Sequence, residues 1–342
     1  MYQADQIEND PVRMNARKKL NRADRILFVV IFLFVIMLAA GITSLYINRK
    51  VPGIDSYGYD LANLSVPRDF VVSTGLGRYA LVPLNNPETI TGQQAEALQK
   101  DRRNKFVTSD DRVVGVIINS EARAYRVREL NWHEVINDEL GGVPIAVTYS
   151  PLCDSVVVFD RRIDGETLVL RHSGLIYNSN LVMQDEREVM DSSSLWSQLQ
   201  MKAIAGPLQG RELRVLPMQF TTWRRWYKDH PDTTVARGLQ EYRKRYNRNP
   251  YGHYFMTGEI KFPVKPLPPD AESDPSSLMD RILVLEDEDG SWKSEKMSVL
   301  GKGNDWGVIA DNKGEFPTFT FEQGREKPAI YCCRFAWYAM HH

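Results

Sequence analysis

The feature that most constrains this chain is an unbroken apolar run near its start. Ile26 to Ile47 reads ILFVVIFLFVIMLAAGITSLYI, 22 residues without a charge. A helix rises about 1.5 Å per residue, so the run spans roughly 33 Å, the depth of a bilayer's hydrocarbon core. The competing reading is a cleaved secretory signal. It fits poorly: the run exceeds a usual signal core, no small-x-small site closes it, and 25 residues precede it. No cysteine follows Ala39–Ala40–Gly41, which argues against a lipoprotein signal. The expectation is a single uncleaved anchor over 26–47, running from Ile26 through Phe34 to Ile47.

Charge placement orients that anchor. Arg13, Arg17, Lys18, Lys19, Arg22 and Arg25 precede it, and only Arg49 and Lys50 follow closely. The positive-inside rule then places the N-terminal segment, 1–25, in the cytoplasm and the rest of the chain outside it. With 43% apolar and 25% charged residues, the remainder has the composition of a folded globular protein. The 43 basic and 44 acidic residues nearly cancel, so no global charge draws the chain to nucleic acid. Three cysteines cannot build a disulfide framework or, alone, a four-thiolate zinc site.

Beyond the anchor, short strands dominate. Residues 48–110 mix Pro, Gly and Asn with short apolar pieces and read as an irregular approach, with a helix-prone stretch from Gln93 to Lys105. Val113–Ile118 and Glu121–Arg126 flank Asn119–Ser120 as a hairpin. Val127, Leu130, Val135, Ile136 and Leu140 fall near helical spacing, and Gly141–Gly142 is expected to end that helix. Three strands follow at 144–149, 155–160 and 166–171. The last two are joined by Asp164–Gly165, a two-residue turn that needs positive φ. A further helix is expected from Thr222, stopped by His230–Pro231. Lys261 to Ser277 reads as a linker. After it, DRILVLEDEDGSWKSEKMSVL (280–300) echoes DRVVGVIINSEARAYRVREL (111–130). The echo predicts two loosely related lobes, 111–260 and 278–342, in a strand-rich α+β ectodomain behind one transmembrane helix.

Several side chains could carry chemistry. Cys153 sits in the turn Ser150-Pro151-Leu152-Cys153, one residue change away from a C-x-x-C redox or metal spacing. It could be a nucleophile, a soft metal ligand or a small packing residue. Cys332–Cys333 are adjacent and cannot easily bond to each other, so one of them could pair with Cys153. His133 and Glu134 could act as acid and base, yet helical neighbours point about 100° apart. The zinc signature H-E-x-x-H is broken by Asn137. Asp160 and Arg161 could join Cys153, Arg161 serving an anionic ligand. His172–Ser173 lacks a nucleophile elbow, and adjacent strand residues face opposite sides, so a serine hydrolase is disfavoured. Tyr242, Arg245, Tyr246 and Tyr251 form a basic, aromatic stretch that could meet lipid headgroups or an acidic partner.

The ordered pieces GVIINSEARAY, LNWHEVIND, GGVPIAVTYSPLCDSVVVFDRRIDG, SGLIYNSNLVMQDE, SLWSQLQMKAIAGPLQG and TTWRRWYKDHPDT, with NPYGHYF, FPV and CRFAWYAMH further on, resemble a bacterial family. It is known as domain of unknown function 3179, and the likeness covers about 111–340. The resemblance implies C-P-L-C-G where this chain has Ser150 to Asp154, and a plainer strand at Leu170-Arg171-His172. Loss of a paired cysteine tilts the reading toward binding or structure. The expected protein is a periplasmic domain on the bacterial inner membrane, acting as a non-enzymatic accessory subunit of a larger membrane complex. Its expected partners are the lipid bilayer and an integral membrane protein, with no nucleic acid and no cofactor. Seven Trp and 15 Tyr are available as interface anchors. The alternative is a membrane-tethered metal-binding or redox protein with its site around Cys153.

Overall fold

The computed structural model describes residues 22–47, 51–99, 106–187, 189, 192–300, 304–313 and 316–342, and in the first helix the side chains of 26–38. Arg13 to Lys19, Arg49 and Lys50 lie outside the described residues, as do the side chains of Arg22, Arg25 and Ile47. The chain divides into two units, Met1–Val51 and Pro52–His342.

In the first unit, helix α1 (Arg22–Ile47) covers the apolar run. Every residue from Ile26 to Leu38 is a large apolar residue with its surface exposed. Among the described residues no helix is long and apolar enough to cross a membrane.

The second unit begins with β1 (Val71–Ser73), β2 (Leu84–Asn85), β3 (Thr89–Thr91) and α2 (Gly92–Gln99). A hairpin of β4 (Arg112–Ile118) and β5 (Glu121–Arg126) runs into α3 (Val127–His133). The meander β6 (Val135–Leu140), β7 (Val143–Ser150) and β8 (Ser155–Asp160) follows. Next come β9 (Arg162–Ile163), β10 (Glu166–Thr167), β11 (Leu170–Tyr177), β12 (Asn180–Asp185), β13 (Leu195–Ser197) and β14 (Lys202–Ala205). The chain returns through β15 (Gln219–Thr222), α4 (Trp223–Asp229), β16 (Thr234–Ala236) and α5 (Gly252–Thr257). It ends with β17 (Arg281–Glu286), β18 (Trp292–Lys296), β19 (Val308–Asp311), β20 (Thr318–Phe321), β21 (Ala329–Cys333) and α6 (Arg334–His341).

Two seven-stranded sheets form the centre. Their orders are β19-β20-β15-β4-β5-β16-β3 and β18-β17-β21-β8-β7-β6-β2. Alternation along each strand sends one set of side chains between them, among them Val114, Tyr125, Val147, Val158, Phe220, Leu283 and Tyr331. A five-stranded sheet, β1-β11-β12-β13-β14, shares a core with the outer face of the second sheet, through Val157, Trp196, Val284 and Cys332. Trp223 and Trp226 of α4 cover the outer face of the first. Strands buried on both faces become near-continuous apolar runs, as in SVVVFD and RILVLE.

Four expectations need correction. The first concerns the lobes. Strands β17 and β21 sit in one sheet with β6 to β8, while β19 and β20 sit in the other beside β15. Residues 278–342 thus complete both sheets instead of forming their own lobe, because either half alone would leave unpaired edges inside the core. The second is the linker at 261–277, whose Lys265 exchanges hydrogen bonds with the Asn178 side chain. The third is the approach segment 48–110, whose strands join β11, β6 and β16. Such short strands carry no period to read and take their order from the edges they pair with. The fourth is the helix drawn through Leu140. It ends at His133, and Val135–Leu140 is a strand paired with β7 across Gly141–Gly142, both at positive φ.

The sequence echo survives as an interlocked pair. β4-β5-α3 corresponds to β17-β18 and the short helix Met297–Val299. Each hairpin then sends strands into the opposite sheet before a return strand, β15 or β21, pairs with its first strand. Arg112 pairs with Thr222 as Arg281 pairs with Cys333. Trp223 N donates to Asp111 O and Arg334 N to Asp280 O, both at 2.8 Å. Trp226 lies against His230 at 4.2 Å, and Trp337 against His341 at 3.7 Å.

Candidate functional site

The turn between β7 and β8 brings together the most unusual polar groups. Cys153 is fully buried in it. Asn180 Nδ2 donates to its Sγ at 3.1 Å, and the thiol reaches Ser155 Oγ at 3.3 Å. Ser155 Oγ donates to Gln198 Oε1 at 2.5 Å, and Gln198 Nε2 donates to Thr148 Oγ1 at 2.8 Å. Ser150 Oγ accepts from Leu181 N at 3.2 Å. Burial pushes the Cys153 thiol up, against the pull of its hydrogen bonds. Burial raises Cys332 and Cys333 as well, and all three cysteines are free. Cys333 N nonetheless donates to Cys153 O at 2.8 Å, so the two segments touch through the backbone. Tyr254 of α5 donates to Leu152 O at 2.7 Å and covers the turn. A thiol held protonated and hydrogen-bonded on all sides is a poor nucleophile.

Beside this turn lies a second pair. Glu134 ends α3 in the left-handed conformation, φ 58°, and its carbonyl accepts from Tyr149 N at 2.8 Å. That twist turns Glu134 away from His133 and toward His172 of β11. His172 Nε2 stands 3.5 Å from Glu134 Oε2. Gly174 N donates to His172 Nδ1 at 2.8 Å, so the ring proton must sit on Nε2 and face the carboxyl. Burial pushes Glu134 up to about 8 and His172 down to about 4, Arg171 adding to the second effect. At neutral pH both are uncharged, and Glu134 holds a proton inside the protein. With 7% and 2% of their surfaces exposed, the two are shut off from solvent. Tyr251 lies close enough for the Glu134 carboxyl to raise its phenol, after burial.

A third cluster forms on the residue after Cys153, in the same turn. Asp154, buried and at φ 47°, receives both Arg112 and Arg281. Arg112 Nη1 donates to both of its oxygens at 3.0 Å, Arg281 Nε donates at 2.9 Å and Tyr149 OH at 2.8 Å. The two arginines occupy equivalent places in the interlocked units, and both guanidiniums lie against Phe316, at 4.2 and 5.3 Å.

The residues singled out by sequence scatter around these clusters. His133 is buried, its Nδ1 donating to Val82 O at 2.5 Å and its Nε2 accepting from Tyr246 OH at 2.7 Å. Tyr246 is therefore a core partner of this imidazole, and Tyr242 packs on the ring at 5.0 Å. Arg245 is exposed and stacks over Tyr242 at 4.6 Å. Asp160 lies at the far end of β8 from Cys153, about 17 Å away by strand rise. It pairs with Arg162 and Arg214 at 2.6 and 3.1 Å. Arg161 donates to the backbone carbonyls of Ile145, Leu168 and Asp138, and so is occupied. Ser173 donates to Val182 O, away from His172 Nε2. Among the described residues no group of three or more His, Cys, Asp or Glu side chains could hold a metal ion.

Glu134 partners His172 and not its neighbour His133, and the Arg112–Asp154–Arg281 cluster stands outside the residues singled out by sequence. The repeated Asp-Arg at 111–112 and 280–281 was its one visible signal.

This is an interleaved two-sheet sandwich with a third sheet on its back and a buried polar turn at the joint. The family described as Protein of unknown function (DUF3179) matches residues 84–336, and the chain belongs to it. No curated protein and no solved structure matches.

Proposed function

We propose that this protein is a membrane-anchored, extracytoplasmic accessory subunit of a larger membrane complex, of respiratory, photosynthetic or transport type. The observation that carries the reading is the helix at Ile26 to Leu38, whose large apolar side chains are exposed all round. At about 2 kcal/mol for each such side chain, leaving them in water costs tens of kcal/mol. A helix apolar on every side belongs in lipid or against other helices. The uncharged sequence continues to Ile47, long enough for a bilayer, and the basic residues before it favour a cytoplasmic N-terminus. On the domain side, the closed hydrogen-bond network and protonated state of Cys153 favour structure over thiol chemistry.

The test is gentle solubilisation of native membranes, separation of complexes by size and mass spectrometry of what co-migrates. Co-migration with one defined complex at fixed stoichiometry is expected. Migration alone near 39.3 kDa plus its lipid or detergent shell would refute the subunit role. Extraction by carbonate without detergent would refute the anchor.

A further inference from the structure

We propose that the cavity beside Arg112 binds a small organic anion through a carboxylate or phosphate group. This goes beyond the accessory role and does not depend on the anchor. The cavity has a volume of about 700 Å³, within the range of small-molecule sites.

Its inner wall includes Arg112. Arg112 and Arg281 are always ionised, and their side chains are only 15% and 9% exposed. They share one carboxylate, Asp154, which is fully buried. Burial keeps the neighbouring Tyr149 and Tyr331 phenols and the Cys333 thiol protonated, so none of them offsets the second cation. The cluster therefore holds one surplus positive charge among the described residues. A buried charge without a counterion is costly, and an anion from outside would balance it.

The two arginines are not equally reachable. Arg281 is closed in by Phe255 at 5.1 Å and hydrogen-bonds Met279 O. Arg112 faces the cavity. Its Nη1 is taken by Asp154, Nη2 reaches only Tyr149 OH at a long 3.5 Å, and Nε has no partner among the described residues. Phe316 and Phe220, at 4.2 and 5.0 Å, hold the guanidinium plane. A fixed fork with unused N–H groups suits a carboxylate or phosphate oxygen pair.

The rest of the lining agrees in sign. Arg128 and Arg224 are balanced by Asp111 and Asp110. Arg248 and Lys313 have no ion-pair partner among the described residues and face a single further carboxylate, Asp311. Asn131 and Asn247 add amide donors. One net positive charge at the mouth thus joins one at the floor, an arrangement that concentrates anions.

The experiment is calorimetric titration of the full chain in detergent with inorganic phosphate and with citrate, at constant ionic strength. Saturable binding of at least one probe at one site per chain is expected, and the tighter of the two assigns phosphoryl or carboxylate chemistry. The double variant Arg248→Gln/Lys313→Gln alters exposed side chains and should fold normally. It should weaken binding about tenfold. Arg112→Lys keeps the charge but loses the fork, and should weaken it further. The proposal is overturned if neither probe saturates, or if the double variant binds as the parent does.

Discussion

Replacing Glu134 with glutamine isolates the proton that this carboxyl carries. The folded chain holds it to about pH 8, because the group is buried, whereas an unfolded chain releases it near 4.5. Between those values the folded state binds more protons than the unfolded state, so stability falls as pH rises. Holding the proton from pH 4.5 up to pH 7 costs about 3 kcal/mol, at about 1.4 kcal/mol per pH unit. Glutamine keeps the shape and accepts from His172 Nε2–H without any proton to hold. Glu134→Gln should therefore leave stability unchanged near pH 4.5 and raise it by about 3 kcal/mol at pH 7 and about 4 at pH 8. His172 acts in the opposite direction in a lower window. Its folded value of about 4 lies below the ordinary 6.5, so its share of stability is present above 6.5 and lost as pH falls toward 4. The assay is urea unfolding of full-length parent and variant in detergent, from pH 4.5 to 8.5. Were Glu134 instead ionised against a charged His172, the variant would lose about 3–5 kcal/mol at neutral pH by stranding a buried cation. A loss there refutes the reasoning.

The Arg112–Asp154–Arg281 cluster makes a second case. Asp154→Asn leaves two buried guanidiniums without a carboxylate and should cost about 4 kcal/mol by the same unfolding assay. At Gly115 an added Cβ would lie 2.1 Å from the Trp226 ring, so Gly115→Ala should destabilise by about 2–3 kcal/mol, visible as a lowered Tm. The three buried thiols should resist iodoacetamide at pH 7.5 in the folded chain and all react after denaturation, counted by mass spectrometry. Fast labelling of Cys153 in the native state would revive it as a nucleophile.

Local patterns were legible where the physics is local. The hairpin at Asn119–Ser120 and the helix capped by Thr222 follow from backbone preferences of nearby residues, and so does the Asp164–Gly165 turn, although it joins β9 to β10 and not strands 155–160 and 166–171. The run through Leu140 misled because Val135, Ile136 and Leu140 fit a helix face and a doubly buried strand equally well. The candidate sites were less legible. Glu134 meets His172 only because a left-handed residue ends α3 and a bulge between His172 and Ile176 breaks the β11 register. Neither feature has a signature in side-chain order.

The sequence by itself determined the apolar segment 26–47, the strand-rich character, the repeated Asp-Arg hairpins and the family. Each depends on composition or on residues a few positions apart. Tertiary structure alone decided that the two repeats interlock instead of standing as lobes. It alone put Arg112 and Arg281, 169 positions apart, on one carboxylate. The reason is that a strand's partners are set by which edges remain to be paired and which faces to be buried, and both are properties of the whole chain.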